Sequence, residues 1–161
     1  MTNTAETQRI AKIFLEQVPR IRLSPQVDHE RRSALFDLIE DNQFSLTNGA
    51  IGPYVLHLSI QEDRLSLKVS HDDDSRVLAK LETSLKEIRR VIKDYFLVCD
   101  SYFNAIKTMT PSRIEAIDMG RRGLHIEGAE LLRQRLAPYA AMDLDTARRL
   151  FTLICVLHIR S

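Results

Sequence analysis

The sequence has little of what would mark a specialised class of protein. Its 161 residues include only two cysteines, five glycines and five prolines, and there is no tryptophan. This composition excludes a disulfide-rich scaffold, a collagen-like repeat and a low-complexity disordered chain. No apolar run reaches the roughly 18 residues of a membrane span. The chain has 23 Lys and Arg and 22 Asp and Glu. Because neither charge is in clear excess, neither nucleic acid nor anionic lipid is expected as a partner.

Recognisable targeting signals and CxxC motifs are also missing. The segment Met1–Glu6 is polar and acidic, unlike the basic and then apolar start of a signal peptide, so we expect a cytoplasmic protein. Cys99 and Cys155 have no CxxC partner and lie in apolar stretches. In a reduced compartment they are expected to be free, buried thiols, whereas a disulfide between them would need an oxidising one.

The remaining composition is that of an ordinary globular domain. Hydrophobic residues make up 44% of the chain, which suffices for one core at this length. No Pro- or Gly-rich seam divides the sequence. We expect a single domain over residues 1–161, with residues 1–8 flexible.

Strand patterns fill the first half of the chain. Alternating apolar residues predict strands at Tyr54–Ile60 and Leu65–Val69, with further strands at Ile10–Leu15 and Val77–Leu81. Short turns at 61–64 and 71–75 join the last three strands. An antiparallel sheet of three to four strands is predicted.

Helix patterns dominate after Thr83. A first helix is predicted over 28–42, with Asp28 as N-cap. A second is predicted from Ser84 to Thr108, with Ser84 as cap and Glu87 in a capping box. A third is predicted from Pro111 to about Leu136 with Thr110 as cap, and a last helix is capped by Asp143 or Asp145. The fold class is therefore α+β: a small antiparallel sheet packed against about four helices, with an all-helical C-terminal half.

The stretch 118–128 is unusual because it places Gly120, Gly123 and Gly128 inside a helical pattern. Each glycine costs a helix roughly 1 kcal/mol against alanine. Close packing of another backbone is one explanation, and a kinked helix with a solvated basic edge is another. A third is a helix break whose amides bind an anion beside Arg121 and Arg122. The phosphate-binding patterns GxxxxGK[ST] and GxGxxG are absent.

Charged residues in and near this stretch are the candidate site. In a continuous helix Asp118, Arg122 and His125 share one face, as a phosphate or proton-transfer site or as an ion-pair ladder. On the preceding helix Arg90 and Asp94 are four residues apart and favour pairing with each other. The candidate ligand- or partner-binding residues are Arg90, Asp94, Asp118, Arg121, Arg122 and His125, and no catalytic residue is assigned.

Arginine doublets recur along the helices, at 31–32, 89–90, 121–122 and 148–149. If several converge they form a basic pocket, and otherwise they are solvated faces. The five histidines are scattered and form no HExxH or Cys/His pattern, so no metal or cofactor is expected.

Several strings resemble a known family of short alphaproteobacterial proteins, uncharacterised protein family 0262. They include Phe36–Glu40, Gly52–Tyr54, Ile92–Phe96, Cys99–Tyr102, Ile114–His125 and Asp145–Cys155. The resemblance implies a bacterial cytoplasmic single-domain protein, and it carries over no activity, cofactor or partner.

Two functions are compatible with these features. The favoured hypothesis is a non-enzymatic protein-interaction or regulatory module with an unknown protein partner, because catalytic and cofactor motifs are missing. The alternative is a small binder or enzyme for phosphate- or carboxylate-bearing metabolites, which would hold the anion in a pocket lined by Arg and His. The sequence assigns no oligomeric state.

Overall fold

The computed structural model describes residues 4–16, 25–71 and 76–158. Its elements in chain order are α1 (Thr4–Thr7), β1 (Ile10–Leu15), α2 (Pro25–Glu40), β2 (Phe44–Leu46), β3 (Tyr54–Gln61), β4 (Arg64–His71), β5 (Val77–Ser84), α3 (Lys86–Thr108), α4 (Pro111–Leu136), β6 (Ala140–Met142) and α5 (Leu144–His158). The α+β class is confirmed. Most of the predicted turn after His71 lies outside the described residues.

The main sheet has four strands in the order β1-β3-β4-β5. The β3-β4-β5 meander is antiparallel, as predicted, with Leu58 opposite Leu67. However, β1 runs parallel to β3, so the sheet is mixed rather than wholly antiparallel. A parallel pair needs a crossover connection, and α2 lies in the connection between β1 and β3. The apolar pattern of β1 identified a strand but carries no information about its direction.

The predicted turn between β3 and β4 is a tight two-residue loop. Glu62 and Asp63 both have positive φ angles, 47° and 65°, the backbone of a type I′ hairpin whose twist matches that of the flanking strands. This loop fixes the register that turns Leu56, Leu58 and Leu67 towards the core.

Helix α5 is the centre of the helical layer. It packs against α2 and α4 and also reaches β3, while α3 packs against α4. Every residue of α5 from Leu150 to Leu157 is buried. A helix segment that is buried on all sides must be enclosed by other elements, so α5 positions the helices around it.

The ends of the helices correct two sequence predictions. Helix α2 begins at Pro25 rather than at residue 28, and the Asp28 carboxylate accepts hydrogen bonds from Arg31 instead of capping. Helix α3 begins at Lys86 with Leu85 as N-cap. The Ser84 hydroxyl accepts the backbone N–H of Lys86 at 3.2 Å, but Glu87 pairs with Arg135, so the predicted capping box is incomplete. The C-terminal half is helical except for β6, which pairs with β2 in a separate two-stranded sheet.

Helix α4 is continuous from Pro111 to Leu136, without a break at any of its glycines. The alternative of a helix break with exposed amides is therefore wrong. Gly128 is required by packing, because a Cβ atom there would overlap the ring of Phe151. At Gly120 and Gly123 a Cβ atom would meet nothing within 4 Å. Close packing thus explains one of the three glycines.

Both cysteines are free and buried, as predicted. Burial raises the pKa of the Cys99 thiol to about 11, and it raises that of Cys155 as well. Among the residues that the structure describes, no helix is long and apolar enough to cross a membrane.

Candidate functional site

A cavity of about 410 Å³ opens where α2, α4 and α5 meet, with one aromatic ring of α3 at its wall. We call it the arginine cavity. Its lining residues come from four helices and are mostly polar: Glu30, Ser33, Ala34, Asp37, Tyr95, Arg121, Arg122, His125, Asp145, Arg148, Arg149 and Thr152. Four guanidinium groups therefore face three carboxyl groups around a space of the size that small-molecule sites occupy.

Arg121 is fixed at the wall of the cavity by contacts on several sides. Its Nε and Nη2 atoms donate to one carboxylate oxygen of Asp118, at 3.0 and 2.7 Å. The guanidinium lies over the ring of Tyr102, with 4.8 Å from Cζ to the ring centre, and Nη1 is 4.0 Å from a carboxylate oxygen of Glu30. The hydrogen bonds from Arg121 hold the pKa of Asp118 below its usual range. Asp118 is thus a charged anchor that orients the arginine.

The doublet of α5 supplies less fully compensated positive charge. Arg149 donates from Nη1 to the backbone oxygen of Asp41 at 2.9 Å and has no carboxylate within ion-pair distance among the described residues. Arg148 pairs with Asp145 at 3.2 Å. Its Nε atom is buried and, within the described parts of the chain, has no hydrogen-bond partner. A buried unpaired donor costs about 1–3 kcal/mol.

His125 joins α4 to α5 at the floor of the cavity. Its Nε2 atom is 2.7 Å from the hydroxyl oxygen of Thr152, which in turn is 3.2 Å from the carbonyl oxygen of Arg148. The imidazole stacks on the buried ring of Tyr95 with 5.4 Å between centres. Burial, reinforced by the positive charges of Arg148 and Arg121, lowers the pKa of His125 to about 4. Near pH 7 the ring is therefore neutral and contributes hydrogen bonding rather than charge.

Glu30 is the acidic group closest to Arg121 across the cavity. Its burial raises the pKa of the carboxyl group, although the charge of Arg121 opposes this effect. The arrangement can hold an oxyanion between guanidinium groups, with hydroxyl and imidazole groups at its floor.

The structure brings together only some of the predicted site residues. Arg121, Arg122 and His125 line the arginine cavity. Asp118 lies behind them, bonded to Arg121 and to Nη2 of Arg122 at 2.6 Å. The ion-pair ladder thus forms over 118–122, whereas His125 turns to Thr152 instead.

Arg90 and Asp94 do not line the arginine cavity. They pair with each other at 3.3 Å, as predicted, and Arg90 also reaches Glu127 of α4 at 2.8 Å. Asp94 makes no ion pair with the following helix among the described residues. This second group of charges lies on the exposed side of the α3–α4 pair.

The arginine doublets behave differently from one another. The pairs at 121–122 and 148–149 converge on one cavity, although they come from different helices. Arg31 and Arg32 instead bind Asp28 within α2. The doublet at 89–90 bonds to Asp63, Asp94 and Glu127. Convergence therefore involves two of the four doublets.

Sequence reasoning missed the contribution of α2 and part of α5. Glu30, Ser33 and Asp37 are three to four residues apart and share a face of α2, but nothing in that spacing points to a cavity. On α5 the signal in the sequence was the arginine doublet at 148–149. Thr152 lies four residues after Arg148 and therefore on the same face of the helix. In the described residues no group of three or more His, Cys, Asp or Glu could hold a metal ion.

Comparison with known proteins identifies the family. The family model described as "Uncharacterised protein family (UPF0262)" matches residues 7–160. A UPF0262 protein of Paramagnetospirillum magneticum is 52% identical over 153 residues, 95% of this chain and 97% of its own length. One of Rhodospirillum rubrum is 52% identical over 155 residues, 96% and 95% of the two chains. One of Azorhizobium caulinodans is 46% identical over 159 residues, 98% of each. No solved structure matches. The chain therefore belongs to the uncharacterised protein family UPF0262.

Proposed function

We propose that this protein binds a small metabolite that carries a phosphate or carboxylate group, and that the arginine cavity is its binding site. One observation carries the proposal: two arginine doublets from separate helices converge on a single cavity of about 410 Å³. Guanidinium groups bind planar and tetrahedral oxyanions through paired N–H donors.

Four arginines and three carboxyl groups line the cavity, and the arginine without an acidic partner among the described residues favours an anion rather than a cation beside it. Arg121 and Arg122 are partly neutralised by Asp118, and Arg148 by Asp145. Arg149 has no carboxylate within ion-pair distance among the described residues, and it donates to the backbone oxygen of Asp41. A ligand oxyanion beside Arg149 would complete the hydrogen bonding of this guanidinium group.

Thermal denaturation tests this proposal directly. Nucleotides, sugar phosphates, inorganic phosphate and di- and tricarboxylates are added to the full chain. A ligand at ten times its Kd stabilises the native state by about 1.4 kcal/mol, which raises the Tm of a chain of this size by about 3–5 °C. The Arg149→Ala variant should lose this increase, and Arg90→Ala, which changes an arginine outside the cavity, should keep it. No Tm increase with any compound at millimolar concentration would contradict the proposal.

A non-enzymatic interaction or regulatory module is the second candidate function, and one surface favours it. Met119 and Ile126 are 65% and 40% exposed, and the 70% exposed side chain of Arg122 lies between them on α4. Exposed apolar residues around a cation are a common composition of protein interfaces.

Capture of partners from bacterial lysate, with and without nuclease, tests this candidate. A stoichiometric protein that survives nuclease should be lost with the Met119→Ser, Arg122→Glu double variant, while the Tm stays nearly unchanged. Leu97→Ser is the matched control, because Leu97 is 59% exposed on α3. Equal capture by the double variant would exclude this surface.

A further inference from the structure

A second cavity of about 360 Å³ adjoins the arginine cavity, between the start of α2 and the middle of α3. We call it the phenylalanine cavity, after Phe96 and Phe103 in its wall. Glu30 lines both cavities, so the two spaces meet at this side chain. They are also joined through the ring of Tyr102, which contacts Phe103 at 5.7 Å between centres and lies under Arg121 of the arginine cavity.

The walls of the phenylalanine cavity combine aromatic rings with amides. Phe96 and Phe103 offer apolar surface, while Gln26 and Asn104 each offer an amide donor and an amide acceptor. Both amide side chains are exposed, so they bond to water in the free protein and are open to a ligand. A planar heteroaromatic ring satisfies both features, because its face stacks on a phenyl ring and its edge accepts and donates hydrogen bonds.

Charge sets the direction in which an elongated ligand would lie. The phenylalanine cavity is lined by the carboxylate of Asp100 and the ammonium group of Lys107, whose charges offset each other. The arginine cavity contains Arg149, which has no carboxylate partner among the described residues, and three further guanidinium groups. The anionic end of the ligand therefore belongs with the arginines and the ring with the phenylalanines.

Between the two cavities stands the contact of Glu30 with Arg121. At 4.0 Å it is longer than a hydrogen bond, and Arg121 is held in place by Asp118 and Tyr102 rather than by Glu30. Movement of the Glu30 side chain would thus join the two spaces without displacing the arginine.

We propose that the two adjoining cavities together bind a nucleoside monophosphate or a close chemical relative, with the phosphate in the arginine cavity and the base between Phe103 and α2. The inference rests on the proposed function, because it assigns a substrate class to the same site. It adds that recognition extends past the phosphate to a hydrogen-bonding ring.

Calorimetric titration of the full chain with four probes tests the inference. The probes are inorganic phosphate, ribose 5-phosphate, AMP and hexyl phosphate. We expect AMP to bind at least about tenfold more tightly than ribose 5-phosphate, the smaller end of the range for stacking of one base on an aromatic side chain. Hexyl phosphate, which has an apolar tail and no ring, should bind no better than ribose 5-phosphate.

Two variants locate the ring. Phe103→Leu keeps apolar volume but removes the aromatic face, and Asn104→Ala removes one amide. Each should reduce the affinity for AMP about tenfold and leave the affinity for inorganic phosphate unchanged. Ile106→Ala is the matched control, since Ile106 is on the same helix, 48% exposed and outside the cavity. It should change neither affinity.

The results separate this inference from the function on which it rests. Equal affinities for AMP, ribose 5-phosphate and hexyl phosphate, all abolished by Arg149→Ala, would overturn the base site and leave the anion site standing. Tighter binding of hexyl phosphate than of AMP would contradict both the base site and the assignment of a heteroaromatic ligand. Binding of none of the phosphates would overturn both proposals.

Discussion

The two faces of α4 carry the same kinds of residue in different surroundings. The inward face presents Asp118, Arg121 and His125 towards α2 and α5, and the side chains of Asp118 and Arg121 are only 14% and 28% exposed. On the other face Glu127 pairs with Arg90 of α3, and these two side chains are 44% and 64% exposed. Both faces contain arginine–carboxylate pairs of good geometry.

The two faces differ more in the burial of their charged side chains than in residue type. Exposed ion pairs contribute about 0–1 kcal/mol, because water and salt screen them. Inward charges are held by several partners at once and border a cavity, where electrostatic interactions with a ligand are stronger. The comparison supports the proposal that the inward face is a binding site, whereas the outward face forms exposed ion pairs.

The largest expected effect contrasts the glycines of the two faces. Gly128→Ala should destabilise the protein by about 3 kcal/mol, because its Cβ atom would overlap the fully buried ring of Phe151. Gly123→Ala should stabilise it by up to about 1 kcal/mol, since its Cβ atom meets open space. Urea denaturation measures both. Equal effects of the two substitutions would contradict the packing described for α4.

The second expected effect is a pH dependence that His125 introduces. Its pKa is lowered from 6.5 to about 4, first by burial and then by Arg148 and Arg121. The unfolded chain thus binds the proton first as the pH falls. The stability tied to the neutral ring is complete above pH 6.5 and is lost towards pH 4. We expect this loss to be about 2 kcal/mol, smaller than the full shift because the ring borders an open cavity.

The free energy of unfolding of wild type minus that of His125→Gln, measured from pH 4 to 7, isolates this contribution. The subtraction is needed because Glu30 acts with the opposite sign. Its pKa is raised above 4.5, so the stability tied to its protonated form is lost as the pH rises. A difference curve that is flat between pH 4 and 6.5 would mean that His125 titrates as an exposed histidine.

The third expected effect concerns ligand affinity at the inward face. Arg149→Ala should weaken the binding of inorganic phosphate at least about tenfold, which corresponds to the loss of one charge-assisted contact of roughly 1.4 kcal/mol. Arg149→Lys, which keeps the charge but removes the paired donors, should recover only part of the affinity. Isothermal titration checks both variants. Full affinity in Arg149→Ala would remove this arginine from the site.

The smallest expected effect belongs to the outward face. Arg90→Ala should change the free energy of unfolding by less than about 0.5 kcal/mol and leave phosphate binding unchanged, because its pairs with Asp94 and Glu127 are exposed. Urea denaturation at low and at high salt measures this effect. A decrease of more than about 1 kcal/mol in the free energy of unfolding that persists at high salt would contradict the view that the ion pairs of the outward face contribute little to stability.

The sequence predicts elements well where the signal is local. Alternation identified β3 and β4, and the spacing of apolar residues identified α3 to within two residues of its start. The α4 spacing also placed Asp118 and Arg122 on one face, where they form an ion pair. These features depend on residues close in the chain, whose relative positions the helix and strand periods dictate.

Long-range features were not predictable in the same way. The parallel pairing of β1 with β3 and the short β2–β6 pair depend on how distant segments meet. The arginine cavity joins Glu30, His125 and Arg149 from three helices, so no local spacing records it. His125 does not join the predicted ion-pair ladder, because its side chain is hydrogen-bonded to Thr152, which lies 27 positions further along the chain.

The most direct test of the inward site follows the arginine side chains while phosphate is added. In ¹⁵N-labelled protein the Nε–H signals of Arg148 and Arg149 and the amide signal of Thr152 should shift and saturate with inorganic phosphate. The Nε–H signal of Arg90 should stay in place, which provides an internal control from the outward face. Shifts that never saturate, or that are as large at Arg90 as at Arg149, would contradict an anion site in the arginine cavity.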